Sequence, residues 1–562
     1  MGSLEAYLAA ALFRVFGPSS WALRAVPLLL SLLLVYLTWR LARALLPVGA
    51  RSTPLLAGLA ALFAAAPPLY DAVAELRTWG GQIEVYIVSV ALLLASVELA
   101  DRLRAGAGTF ELAWRWAIVG FLAGLGIWIN PLVTYALAAC GLWLLAPLVE
   151  RVFPGLWARL ARGIGVETRR PGMPRAQVLL PVAALVPGLA VGGLPAWIYA
   201  VKHHAENLLV YVSQPHVSPA VSGAARHGRL FLGAAITARY AGCVAPRVLD
   251  GGLPAESIAL LPLRLLLLLP PLAGIACAIW LLRHREAAPL RIGLPLLYAA
   301  IITAVFCLGT SAWASTKPCP QDWGGRYAVP LALVEPFLLL ALFAWPAAWR
   351  WTREHIIAAP ARVATGGAEM KADGGGAEVP AHVSRRGLKS ADRLLGGRVN
   401  GWTAALLVLL TAGGVQVVTY AIASPSATFQ SPYYRRVPLD MQPLLGYLKA
   451  HGIHDAWANH WLGNIVTFET EGATTCADYY DQVVQTGLHR PPGTLEAVLR
   501  AHAPSFILVT TDAHPLLAQE LDAQGIPYTL AAIPGSGVVV ITPARTVDPA
   551  TVVPGLAVDY PY

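Results

Sequence analysis

Only 13% of the 562 residues are Asp, Glu, Lys or Arg, while 56% are apolar, so few side chains are available for chemistry. Acids near the ends of apolar stretches are the first to weigh. Asp71 and Glu75 stand four residues apart between two such stretches, and on a helix they would share one face. A carboxylate there can take a proton from a hydroxyl, or it can pair with nearby Arg77. Glu84 follows Gly80-Gly81 at the mouth of the next apolar stretch, where a carboxylate is costly unless paired or functional. Glu206, Asp250, Glu256 and Asp322 hold comparable positions. Three cations, Lys202, Lys317 and Arg326, the last followed by Tyr327, sit where an anionic head group would lie. For each of these, anchoring to lipid head groups competes with ligand binding.

Metal chemistry is not indicated. His203, His204 and Glu206 are neighbours, but adjacent histidines point to different sides of a helix or strand, and no third ligand is close in sequence. The six cysteines contain no C-x-x-C pair. Cys243 and Cys319 could form a disulfide in an oxidising compartment, a pairing that their spacing cannot test.

The elements that must position these residues are membrane spans. A spanning helix needs about 20 mostly apolar residues, and such stretches lie near 21–46, 54–70, 82–100, 178–200, 257–282, 290–311, 327–348 and 401–423. The run 117–149 is too long for one span and is broken at Asn130-Pro131, which reads as two short half-spans meeting at a bend. Loops 38–53, 101–116, 150–177, 283–291 and 349–400 together hold 24 of the 41 Lys and Arg residues. The positive-inside rule places them in the cytoplasm, and alternation then requires two crossings in 117–149 and ten in all. The net charge of +9 is thus a topology signal, with no basic groove for nucleic acid.

With 38–53 inside, Met1 falls outside, and residues 1–20 read as an amphipathic helix on the outer surface. Its apolar side carries Leu4, Tyr7, Leu8, Ala11, Leu12 and Val15, with Glu5 and Arg14 turned the other way. Residues 21–349 form the multi-pass domain with an external loop at 202–256, and 350–400 is a Gly-rich cytoplasmic linker. The last span is 401–423. From 424 to 562 helix and strand patterns alternate, which implies a small extracytoplasmic α/β domain. No phosphate-binding glycine loop or nucleophile elbow occurs there.

Several runs bear a family likeness. GSLEAYLAAALFRVFG, SSWALRAVPLLLSLLL and LARALL resemble the juxtamembrane helix and second span of GT-C type glycosyltransferases. That class includes the protein O-mannosyltransferases and the lipid A aminoarabinose transferases. GIWINPLVTYALAA resembles their short fourth and fifth helices, and GGRYAVPLALVEPFLLLALFA a late span opening on Arg-Tyr and a proline. The resemblance implies an all-α polytopic domain of about ten spans and an inner-membrane enzyme. That enzyme moves a sugar from a polyprenyl-phosphate donor to an external glycan, lipid or protein acceptor.

On that basis Arg326, Tyr327 and Lys202 would hold donor phosphate, Glu84 would bind substrate, and Asp71 or Glu75 would supply a base. No cofactor is implied, since the mannosyl and aminoarabinosyl branches mostly need no divalent cation. The family's acid in the first external loop would fall upstream of Met1. An in-frame upstream extension of about 50–90 codons, for one further span and loop, is therefore expected. Two other readings remain open: a transporter or lipid-sugar flippase, which predicts repeats and broken helices, and a non-catalytic membrane subunit.

Overall fold

The computed structural model describes residues 4–46, 53–67, 81–155, 175–202, 289–308, 333–337, 340–341, 437–438, 440–479 and 493–552. The chain divides into two compact units, Met1–Ala10 with Arg24–Ala423, and Ala11–Leu23 with Ser424–Tyr562.

The first unit is helical. Helices α1 (Leu4–Phe16), α2 (Ser20–Leu45) and α3 (Thr53–Ala65) open the chain, the end of α1 and the start of α2 counting with the second unit. Next come α4 (Gln82–Ala105), α5 (Thr109–Ile129) and α6 (Val133–Val152). Among the described residues α2, α4, α5 and α6 are long and apolar enough to cross a membrane. Helix α4 is the most buried of the four and packs against both α5 and α6. It starts at Gly81 and stops at Gly106, both in the left-handed conformation, and the Gly106 N–H closes back on the Arg102 and Leu103 carbonyls.

Two expectations change here. The run broken at Asn130-Pro131 is not a pair of half-spans, because α5 and α6 are 21 and 20 residues long. Arg115, counted above as a loop charge, lies inside α5, where Glu98 and Glu111 pair with it at 3.0 and 3.5 Å. The helix thereby begins two turns earlier than hydropathy suggests. The stretch 178–200 is not one straight span either. It forms α7 (Arg175–Val182), α8 (Leu185–Gly192) and α9 (Leu194–Lys202), with a bend of 62° at the Gly192–Gly193 break.

Glycine explains how α8 sits on α5. A methyl group at Gly120 or Gly124 would come within 2.1 or 2.3 Å of the Leu185 or Leu189 carbonyl. At Gly188 or Gly192 it would reach the Ala117 or Phe121 carbonyl at 2.2 or 2.0 Å. The backbones come this close because glycine stands at each of these four contacts. The register advances together along both helices, so α8 runs parallel to α5 and α6 returns the chain between them. A 3₁₀ turn (Pro289–Ile292) leads into α10 (Gly293–Leu308), which packs on α6. The spans expected at 257–282 and 401–423 lie outside the described residues, as does most of 327–348.

The second unit contains a five-stranded sheet with strand order β2-β1-β3-β5-β4. Helix α11 (Gln442–Ala450) leads to β1 (Asp455–Ala458), α12 (His460–Glu469) and β2 (Thr475–Asp478). Helix α13 (Thr494–Arg500), β3 (Ser505–Val509), α14 (Leu516–Ala523), β4 (Tyr528–Ile533) and β5 (Val538–Pro543) follow. Strand β1 is parallel to β2 and β3, while β5 is antiparallel to β3 and β4. One face of the sheet buries Trp457, Phe506, Val539 and Ile541; the other buries Ala456, Ile507 and Val540 beneath Leu444, Leu448 and Leu462. Cys476 lies within this core, and burial pushes its thiol up to about 12.

Candidate functional site

Ion pairs in the first unit gather at one end of α4. Asp101 pairs with Arg291 at 2.9 Å and Arg104 at 3.8 Å, Arg102 with Glu111 at 3.2 Å, and Arg40 with Glu98 at 3.6 Å. Arg291 also donates to the Ala44 carbonyl at 3.1 Å, and Arg151 donates to the Arg104 carbonyl. Arg104 lies over the Trp143 ring, 5.6 Å from its centroid. Residues from four of the loops that charge assigned to the cytoplasm thus meet at a single end.

The opposite end of α4 is built differently. Gly81 enters the helix with φ 89°, and a Cβ there would meet the Ile129 carbonyl at 3.1 Å and Asn130 Cβ at 3.7 Å. The start of α4 therefore abuts the break between α5 and α6. That break is fixed locally: Asn130 Oδ1 accepts from the Leu132 N–H at 3.0 Å, and its own N–H reaches the Gly126 carbonyl. Three residues into α4 stands Glu84, only 1% exposed.

Helix α1 covers it. The Glu5 N–H donates to Glu84 Oε1 at 2.8 Å, across 79 residues of sequence. This amide belongs to the first turn of α1, whose leading N–H groups have no partner within the helix. The Glu84 carboxylate caps α1 from another helix and sits at the positive end of its dipole. Among the described residues Glu84 Oε2 has no hydrogen-bond partner, although it too is buried. Tyr7 packs on Trp128 with ring centroids 5.9 Å apart, and the Gln82 amide donates to the Tyr86 hydroxyl at 2.8 Å.

Such an arrangement is able to accept a hydrogen bond, or a proton, from a hydroxyl brought to Oε2. The other residues singled out from sequence are not gathered here. Lys202 ends α9 with its side chain exposed. Asp71, Glu75, Arg326 and Tyr327 lie outside the described residues, as do His203, His204, Glu206, Cys243 and Cys319.

Glu5 was missed. Its helical spacing placed it on the polar side of α1, toward water, yet it is 3% exposed, because that side rests against the unit. Tyr7 and Leu8 on the apolar side are 66% and 37% exposed instead. Helical periodicity finds the two faces of α1 but does not say which of them meets protein.

In the second unit a cleft of about 510 Å³ is lined by residues such as Lys449, His454, Glu469 and Glu471, where α11 and α12 end. His454 Nδ1 lies 3.1 Å from the Ala473 carbonyl, and the Thr474 hydroxyl donates to the Ile453 carbonyl at 2.8 Å. On the far side of the sheet the Tyr528 hydroxyl donates to Asp522, which also meets His514 at 3.3 Å. Desolvation first, and then the Asp522 charge, raise the Tyr528 phenol above its ordinary value.

No family model matches the chain, and no curated protein does. Two solved structures are similar, both of ArnT from Cupriavidus metallidurans. The apo form aligns with TM-score 0.48 and 15% identity over 98% of this chain and 87% of that one. The form bound to undecaprenyl phosphate gives 0.45 and 15% over 97% and 87%. ArnT is a lipid A aminoarabinose transferase of the GT-C class, one of the groups that the sequence runs resemble.

Proposed function

We propose that the chain is a multi-pass membrane glycosyltransferase of GT-C type, moving a sugar from a polyprenyl-phosphate donor to a lipid, glycan or protein acceptor. The observation that carries this reading is Glu84, a buried carboxylate with an unpartnered oxygen, capped by the helix whose sequence bears the family likeness. In the transfer an acceptor oxygen bonds to the anomeric carbon and the bond from that carbon to the phosphate oxygen breaks. The phosphate leaves with the electron pair, and the acceptor proton passes to a carboxylate. Glu84 Oε2 holds a sugar hydroxyl, Asp71 or Glu75 takes the proton, and Arg326, Tyr327 and Lys202 receive the phosphate. The catalytic end of the bundle and the α/β domain both face the extracytoplasmic side on this reading, opposite the arginine-rich end.

The test is transfer of labelled sugar from polyprenyl phosphate by membranes containing the chain. Transfer is expected with wild type and lost with Glu84→Gln. No transfer by folded wild-type protein, over a panel of donors and acceptors, would sink the proposal.

The broken helix at Gly192–Gly193 favours a second reading as a lipid-sugar flippase, since broken helices serve transport. Movement of the labelled lipid across proteoliposomes without transfer would establish it.

A further inference from the structure

Glu84 is closed off: its carboxylate is buried, and the first turn of α1 lies across it. A substrate group has no access to Oε2 while α1 stays in place. A hydrogen bond from the Glu5 N–H to Glu84 and a ring contact of Tyr7 on Trp128 are among the contacts that join the start of α1 to α4 and α5. Gly17, with φ 79°, follows the far end of α1, and its N–H donates to the Phe13 carbonyl at 2.9 Å. Tyr7, beyond its contact with Trp128, and Leu8 are exposed, a surface suited to the lipid head-group boundary whether the helix rests or lifts.

We propose that α1 is a latch over Glu84. In the closed state the carboxylate serves as the cap of α1. When the first turn lifts, the cap bond breaks, both oxygens become available, and a hydroxyl-bearing substrate takes the place of the Glu5 amide. Tyr7 leaves Trp128 in the same movement and frees that ring face for the incoming molecule. The latch itself rests on the geometry of α1, α4 and α5; only the sugar chemistry of what it admits rests on the transferase reading.

The experiment locks the latch. Cysteines replacing Tyr7 and Trp128 are bridged by a short, reducible bis-methanethiosulfonate cross-linker in the full-length protein in detergent, and the bridge is verified by mass spectrometry. Glu84 reactivity is then read by carbodiimide labelling and peptide mapping. Labelling is expected to fall at least tenfold in the locked form relative to the same protein reduced, while the paired acids Glu98 and Asp101 label equally in both. The single variants Tyr7→Cys and Trp128→Cys, treated with the cross-linker in parallel, control for the native cysteines.

A second measurement needs no lock. Amide hydrogen exchange of the peptide around residues 4–10 is expected to be faster in Glu84→Gln than in wild type, because the neutral amide is a weaker cap. Equal labelling of Glu84 in locked and reduced protein, or unchanged exchange in Glu84→Gln, would overturn the latch. Labelling that follows the lock in a protein that never transfers sugar would keep the latch and remove the transferase.

Discussion

The two ends of α4 hold acids in opposite ways. At one end Glu98 and Asp101 are met by Arg40, Arg104, Arg115 and Arg291 from other helices or the next turn, with side chains 14–44% exposed. At the other end Glu84 is almost wholly buried and keeps one oxygen without a partner among the described residues. A carboxylate matched by cations at a wet surface is the ordinary way to hold helices together, and removing it costs stability. A desolvated carboxylate with an unused acceptor is expensive to keep, and such residues in membrane bundles are the ones that do chemistry.

The comparison breaks most directly at Glu84. Glu84→Gln keeps the shape and removes the charge, so transfer should fall by about a hundredfold or more while the amount of folded protein stays level. Activity near wild type would reduce Glu84 to a helix cap. Next in size is Asp101→Ala, which strands Arg291 and should lower stability by about 1–2 kcal/mol, read from thermal unfolding in detergent, with transfer unchanged below the transition. The double variant with Arg291→Ala should recover part of that loss; full additivity would deny that the pair interacts.

Arg115→Lys keeps a charge but loses the fork that reaches Glu98 and Glu111. It should cost about 1 kcal/mol or less by the same measurement. Arg102, about half exposed, marks the floor: Arg102→Ala should shift stability by less than about 0.5 kcal/mol. If the paired end proved as costly to transfer as the Glu84 end, the contrast would be wrong.

Much of this was legible in sequence, and the failures have physical causes. Gly80-Gly81 before Glu84 marked the entry to α4, and Asn130-Pro131 marked the break it rests on. Loop arginines predicted which residues would meet, since charge sorting depends only on composition between apolar runs. Arg115 misled for the same reason: a charge near a boundary looks like loop until its partners, Glu98 one helix earlier and Glu111 one turn earlier, are known.

The close approach of α5 and α8 was invisible because glycine carries no hydropathy signal; its message is the partner's closeness. Glu5 and Glu84 lie 79 residues apart, and neither one's spacing refers to the other. In the C-terminal unit the alternating patterns imply an α/β domain but do not single out α12 and β2. A ten-residue helix begun by Asn459, whose side chain accepts from the Trp461 and Leu462 N–H groups, and a four-residue strand are too short for periodicity to register.

The glycine seam between α5 and α8 also sets a traffic rule. Two backbones within touching distance leave no gap for a hydrocarbon chain, so that seam is a wall. If the chain takes a polyprenyl substrate as proposed, its tail would approach along a face where side chains stand apart and look outward, such as the row Leu28, Leu29, Leu32 and Leu33 on α2. The route of such a lipid would then be fixed partly by where the chain has dispensed with side chains.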